Sequence, residues 1–333
     1  MLLELITSRR VVFFGGKGGV GKTTLASTTA AALARRGRRV LLVSTDPAHN
    51  LGHLWDTCIG DRVTALDPGL EAVEIDPDAT VTAHLVGVEQ TMHEMMPRHL
   101  HTEVSRHLRL SAGSPGTHEA AILERIARIV DGSVGEYDHV IVDTAPSGHT
   151  SRLMALPEVM SAWTDGLLGR RARAEKLADA AEALGAPSRR DRDLLGARGA
   201  TGTSTDPVRR RNERLRSILE ERRDLFRRFR RILTDPELCT FIIVLTAERM
   251  PVLETVELHS ELSVTGVSVA ACVVNRRSPR DQGDFLAARA ELEEGFVSSL
   301  RDRLPDVPVI QLPLLPGEAT SREVLYELGE RLR

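Results

Sequence analysis

The stretch GKGGVGKT, residues 16–23, leaves this chain few folding choices because of what stands on either side of it. Upstream, RRVVFFGG is a short apolar run that reads as a buried strand. Downstream, KTTLASTTAAALARRG has the small-residue, alanine-rich character of a helix closed by Gly37. RRVLLVSTD then supplies a second buried strand. Strand, loop, helix, strand is a βαβ unit, and parallel strands joined this way lie in a sheet covered by helices on both faces. The loop satisfies GxxxxGK[ST] and stands in the strand-to-helix context that gives the pattern physical meaning. Glycines let consecutive backbone N–H groups turn toward phosphate oxygens with no Cβ in the way, and the helix N-terminus adds its positive end.

Five more apolar runs, LEAVEID, YDHVIVDTA, CTFIIVLTA, VSVAACVVN and VPVIQLPLL, read as strands. Most are continuous rather than alternating, as central parallel strands are. The expected fold is therefore α/β, a doubly wound, mainly parallel sheet of the P-loop NTPase type with an inserted α-helical subdomain. Ala79 to about Val130 and Ser151 to about Leu233 show heptad-like apolar spacing mixed with charge and no strand signal. The expected ATPase-type core covers residues 1–78, 131–150 and 234–333, with 79–130 and 151–233 as helical insertions that form a client or partner subdomain. Within the second insertion, GAPSRRDRDLLGARGATGTSTDPVRRR is rich in Gly, Ser, Thr, Pro and Arg and reads as a mobile loop.

Composition narrows the class further. With 41% hydrophobic residues in 333, the chain can bury a substantial core. No apolar run approaches the ~18 residues a membrane span needs, and the N-terminal charges follow the first apolar run, so a cytoplasmic location is expected. Cys58, Cys239 and Cys272 are far apart and odd in number, which offers neither a disulfide framework nor a CxxC pair. The net charge of −3 hides a basic segment: residues 170–231 hold 19 Lys/Arg against 10 Asp/Glu, so the rest of the chain is acidic.

Each residue of the loop has a task in a phosphate site. Gly16, Lys17, Gly18, Gly19, Val20, Gly21, Lys22, Thr23 and Thr24 form the cradle; Lys22 reaches toward the β- and γ-phosphates, and Thr23 is placed to ligate Mg²⁺. Asp143, ending the run HVIVD, is placed to support the metal directly or through water. Asp46, ending VLLVSTD, leaves a neighbouring strand at the same carboxyl edge, where ligands of open α/β sheets bind. Helix capping is the plainer role open to either carboxylate.

Three segments together, KGGVGKTT, STDPAHN (Ser44–Asn50) and DTAPSGHTSRL (Asp143–Leu153), resemble the deviant phosphate loop and the two switch segments of the ArsA and guided-entry (GET-type) ATPases. That family serves arsenite efflux and tail-anchored membrane-protein targeting. The resemblance covers about Val11 to Gly317 and fades in the helical insertions. It implies ATP and Mg²⁺ as ligands and a catalytic set of Asp46, Lys17 and Lys22, with Asp46 orienting the attacking water. It also implies that Lys17 is a signature lysine reaching phosphates held by a second subunit, so a chain with one phosphate loop acts as a homodimer. TAERMPVLET, VVN and LPLLPGE match the adenine-side segments, through Glu248, Asn275 and Pro316. The switch segments are expected to respond to the γ-phosphate, ATP holding the dimer closed.

The client is less constrained. The stretch after Asn275 lacks the CxxC of zinc-stapled relatives, and no cysteine lies between Cys58 and Cys239 to form a thiolate site for a metalloid. His93, His99, His101 and His107 cluster, but H-x-H points rings to different faces of a helix, so surface histidines and a metal site are both open readings. Met92, Met95, Met96, Met154 and Met160 either fill a core or line a groove for an apolar client helix. The basic helix from Val208 to Leu233 reads first as a solvated helix laced with ion pairs; an anionic membrane surface, an acidic partner or nucleic acid are the sharper alternatives. With 3% aromatic residues, stacking on nucleic-acid strands is disfavoured. Two functional readings follow from the resemblance: an arsenite or anion-transporting ATPase working with an integral membrane efflux protein, or a targeting factor for tail-anchored clients. A ParA/MinD-type positioning ATPase ranks behind them, because DPAHN and DTAPSGHT fit the first family and EVLYELGERLR lacks the cationic apolar character of a membrane-targeting helix. An iron–sulfur electron carrier is disfavoured by the cysteine positions.

Overall fold

The structure, a computed structural model, describes residues 1–46, 50–95, 98–111, 113, 115–133, 135–145, 154, 156–158, 165–166, 173, 207–317 and 321–332. The expected mobile loop up to residue 206, most of the second switch segment and residues 47–49 of the first lie outside these. The chain opens with α1 (Leu2–Ile6), β1 (Val11–Gly15), α2 (Lys22–Arg35), β2 (Val40–Ser44) and α3 (Asn50–Trp55). A hairpin of β3 (Thr64–Asp67) and β4 (Leu70–Glu74) follows, then α4 (Pro77–Met95), α5 (His101–Ser111), α6 (Pro115–Gly132) and β5 (His139–Asp143). The remainder runs α7 (Pro207–Thr234), β6 (Cys239–Thr246), α8 (Arg249–Thr265), β7 (Val269–Arg277), α9 (Asp284–Arg303), β8 (Val309–Pro313) and α10 (Arg322–Arg331).

The strands form one eight-stranded sheet in the order β3-β4-β2-β5-β1-β6-β7-β8. Only the β3–β4 pair at one edge is antiparallel. Because β1 lies between β5 and β6, with Phe14 opposite Asp143 and Gly15 opposite Ile243, the phosphate loop emerges at the middle of the sheet's carboxyl edge. Alternate residues of each strand feed two cores. Val11 and Phe13 join Val140, Val142 and Phe241 against α6 and α7, while Val12 and Phe14 join Ile141 and Ile242 against α2 and α10. The doubly wound, mainly parallel sheet expected from the sequence is thus present.

Helix boundaries have local causes. Gly37, at φ +81°, ends α2: its N–H bonds the Ala34 carbonyl while Arg38 N–H reaches back to Leu33, the paired closure a left-handed residue permits. Pro207 opens α7 at the first helical position, where a missing N–H leaves no bond unmade. The C-terminal helix α10 packs on α2, as its lack of membrane-helix character predicts; a Cβ on Gly329 would lie 3.2 Å from the Ala32 Cβ. No helix of the described residues is long and apolar enough to cross a membrane.

The stretch expected to lack strands, Ala79 to about Val130, is taken up by α4, α5 and α6. Helix α7 presses Phe226 and Phe229 into the core and lays its arginines against acidic neighbours: Arg222 on Glu124, Arg228 on Asp131, Arg227 on Asp165 and Arg230 on Glu158. The ion-paired reading of the basic helix therefore accounts for these four guanidiniums.

Candidate nucleotide site

The loop after β1 can be made only with glycine at two points. Gly16 sits at φ +143°, and a Cβ there would fall 2.1 Å from the Val244 carbonyl oxygen of β6. Gly21 sits at φ +96° as the residue preceding α2, and a Cβ would fall 2.4 Å from Asn275 Nδ2. Gly21 also gives α2 no side-chain cap, which leaves the positive end of the helix to a ligand. Asn275, at the end of β7, donates from Nδ2 to the Val20 carbonyl at 2.9 Å and so ties the loop to a strand two positions away in the sheet.

The charged groups then converge. Lys22 is nearly buried, with Nζ donating to the Lys17 carbonyl at 3.1 Å; burial lowers its pKa, and the charges of Asp143 and Asp46 oppose that shift. Thr23 donates its hydroxyl to Asp143 Oδ2 at 2.6 Å. Asp143 is fully buried, and burial pushes its carboxyl up to about 7; the Asp46 charge adds to the rise, while the Thr23 hydroxyl, the Lys22 ammonium and Ser44 work against it. Its second oxygen, Oδ1, has no hydrogen-bond partner among the described residues. A buried carboxylate oxygen left open beside a threonine hydroxyl and the lysine suits a hard divalent cation of the Mg²⁺ kind, which takes few protein oxygens and completes its shell with phosphate and water. Asp46 stands half-buried, its N–H on Ser44 Oγ at 3.3 Å, while Thr45 N–H and hydroxyl both donate to the Asp143 carbonyl, at 3.0 and 3.2 Å. The first switch segment thus leaves the end of β2 tied to the neighbouring end of β5, which carries Asp143.

Lys22, Thr23 and Asp46 border a cleft of about 730 Å³, a volume suited to a nucleotide, whereas the fully buried Asp143 lies behind Thr23 and does not line it. Gly19, Gly21, Lys22, Thr23, Thr24 and Asp46 form one wall, and Asn275 and Pro316 form another. Sequence reasoning missed Arg276, His53, Leu54 and Leu328, which also line it. Arg276 holds a left-handed φ of +57°, and its only sequence signal is that it follows Asn275; Leu328 arrives from the far end of the chain. Gly16, Gly18 and Val20 shape the loop without lining the cleft. Glu248 is not brought to it either: it borders an adjacent hollow of about 240 Å³ with Phe285, Arg289 and Glu293, and the two spaces share Arg276 and Leu314. Lys17 points elsewhere, its Nζ 2.9 Å from Glu254 of α8.

The other candidate residues do not assemble. Cys239 and Cys272 are buried in strands, where burial raises both thiols, Cys272 to about 12. His93 and His101 stack their rings at 4.2 Å, with His93 Nε2 3.3 Å from the Ser105 hydroxyl, so the histidine that meets His101 is His93 and not its sequence neighbour His99. Among the described residues no group of three or more His, Cys, Asp or Glu could hold a metal ion.

Comparison with known proteins points the same way. The chain matches the family model for anion-transporting ATPases over residues 9–333. It is 30% identical over 324 residues to arsenical pump-driving ATPase 2 of Aquifex aeolicus, covering 97% of this chain and 99% of that one. It is 32% identical over 330 residues to the arsenical pump-driving ATPase of Escherichia coli, covering 96% of this chain but 49% of that protein, about half its length. It is 30% identical over 330 residues to ATPase get3 of Aspergillus terreus, with 97% and 90% covered.

Proposed function

The chain belongs to the anion-transporting ATPase family, and on that premise we propose that this ATPase works as a Mg²⁺-dependent homodimer whose closure on ATP drives a membrane-associated process. The observation that carries the reading is the divergence of two lysines from one loop. Lys22 lies inside the cleft beside Asp143, whereas Lys17, five positions earlier, reaches away from it to α8. A cation anchored on the phosphate loop yet kept out of that loop's own cleft is suited to another subunit's phosphates, the arginine-finger role.

Within one cleft, the loop N–H groups and Lys22 hold the β- and γ-phosphates, and Asn275, Arg276 and Pro316 bound the opposite wall. Thr23 and Asp143 are the residues that would hold Mg²⁺, which when bound neutralises charge on the β- and γ-phosphate oxygens. Asp46 accepts a hydrogen bond from water and orients it in line with the γ-phosphorus, so that the new P–O bond forms as the bond to ADP breaks. Lys17 of a second copy meets the charge that moves onto the bridging oxygen.

The energy is used, in this reading, to drive export of an anion such as arsenite through a membrane partner, as the names of the bacterial relatives suggest. Delivery of an apolar client helix is the second reading. It is favoured by the absence of cysteine between Cys58 and Cys239, and by Val86 and Leu110, which α4 and α5 leave exposed. The test is ATP turnover of Lys17→Ala, with nucleotide binding measured beside it. The variant should bind ATP as the parent does and lose turnover by about 10²-fold or more, the scale of removing one transition-state donor; parental turnover would overturn the trans-acting lysine. Stimulation by arsenite or by a tail-anchored helix then separates the two clients.

A further inference from the structure

Lys17 is held by one side chain, 237 residues away in the sequence. Its Nζ donates to Glu254 Oε1 at 2.9 Å, with the lysine side chain 44% exposed and the glutamate 31%. Glu254 stands on α8, which leaves the carboxyl end of β6 next to β1, so the loop and this helix rise from adjacent strands of the sheet. From that loop Lys22 turns inward and donates to the Lys17 carbonyl, while the Lys17 side chain turns outward to α8. A long flexible ammonium beside a triphosphate in its own cleft would otherwise be drawn to those phosphates.

We propose that Glu254 is a positioning residue for Lys17: in the single chain its carboxylate keeps the ammonium out of the chain's own cleft, and the triphosphate of a second copy takes the ammonium from it. The inference rests on the trans assignment of Lys17 made above. Strength and exposure suit the role. A solvent-exposed ion pair is weak and screened by salt, so it biases a side chain among rotamers without locking it, and a polyanion presented by the partner outcompetes a single carboxylate. The cost is symmetric. Two copies closing on each other release two such pairs, so pairing of the chains, rather than the chemistry within one cleft, carries the effect. Exposed Met250 and Leu253 lie on the same helix beside Glu254, so the surface a second copy would cover has apolar area to offset that release.

The experiment is ATP turnover per chain measured against protein concentration, at saturating ATP and Mg²⁺, for the parent, Glu254→Gln, Glu254→Asp and Lys17→Ala. Glu254→Gln should reach half-maximal turnover at about fourfold lower protein concentration, roughly twofold for each of the two pairs, with an unchanged KM for ATP. Glu254→Asp keeps the charge and should titrate like the parent. Raising the salt to about 1 M, where the Debye length is about 3 Å, should bring the parent and Glu254→Gln together. A half-maximal concentration that is unchanged or raised in Glu254→Gln overturns the proposal, because a mere surface staple would alter stability and not this midpoint. Lys17→Ala separates the failures. If it turns over like the parent, the trans lysine falls and Glu254's role with it; if it is inactive while Glu254→Gln titrates like the parent, only the positioning role falls.

Discussion

Asp143 and Glu124 are both carboxylates taken out of water, one at the carboxyl edge of the sheet and the other between helices α4, α6 and α7, and they meet burial in opposite ways. Burial acts to raise the pKa of each. At Glu124 the His84 ring at 3.2 Å, Arg222 at 2.7 Å and Arg128 at 2.7 Å outweigh it and hold the carboxyl at about 2. At Asp143 a hydroxyl and the shared charge of Lys22 do not, the carboxyl stays up at about 7, and one oxygen is left open. A buried acid that already has its cations is a joint between helices; a buried acid still short of one is a site.

Replacing Asp143 with asparagine separates the two cases most sharply. Turnover of Asp143→Asn should fall by about 10²- to 10³-fold, since the carboxylate that accepts from the Thr23 hydroxyl, and that we propose steadies the metal, is lost. Stability should move the other way. The native Asp143 keeps its proton up to about pH 7 whereas an unfolded aspartate gives it up near pH 4, so the wild-type fold is progressively destabilised as pH rises across that window. Without nucleotide or metal, Asp143→Asn should therefore be more stable than the parent at pH 8, by on the order of 2–4 kcal/mol, and no more stable near pH 4. Thermal melts at the two pH values check it, and equal melting temperatures at pH 8 would remove the contrast with Glu124.

Glu124→Gln is the reciprocal change. The folded Glu124 carboxyl lies below its unfolded value, so its stabilisation is complete above about pH 4.5 and is lost as pH falls through about 2. At pH 7 the variant leaves Arg222 without its counter-charge in a half-buried place and should lose roughly 2–3 kcal/mol, read from denaturant midpoints. ATP turnover per folded chain should stay within about twofold of the parent, because Glu124 touches nothing in the cleft. A large loss of turnover at full folding would mean that the helical layer and the cleft are more closely coupled than this pair of carboxylates suggests.

The same contrast explains what the sequence disclosed. The loop, the strand ends carrying Asp46 and Asp143, and the central strands could be read because each depends on chemistry within a few residues: glycines where the chain must turn tightly, and apolar runs where a strand is covered on both faces. Strand β3 could not, since it is four residues long, buries only Leu66 and holds its place by pairing across a register shift with β4. Helix α1 was equally silent, five residues whose buried Leu2, Leu3 and Ile6 gain meaning from the chain's other end, where the Leu332 carbonyl accepts from Leu3 N–H. The far wall of the cleft follows the same rule. Arg276 and Leu328 line it because of which strands and helices become neighbours, and the bond of Asn275 to the loop spans 255 residues. Glu124 carried only the i,i+4 spacing to Arg128 as a local signal, for its other partners, His84 and Arg222, come from α4 and α7.

The smallest expected effect tests whether Glu124 is amply supplied with cations or only just balanced. Arg128 lies one turn along α6 from Glu124, bonds it from both Nε and Nη2, and is 60% exposed on its own side chain. Arg128→Gln removes that cation and leaves Arg222 and His84 in place. If the carboxylate is over-compensated, the loss should be about 0.3–0.5 kcal/mol, the worth of an exposed helical i,i+4 pair, and should shrink as salt is added. If the three partners were barely sufficient, losing one would cost nearly as much as Glu124→Gln itself. A double-mutant cycle on Glu124 and Arg128 reads the difference. A coupling energy near that of an exposed pair would leave Glu124 as a joint with cations to spare; a coupling several times larger would place it nearer to Asp143, an acid whose charge is only just contained.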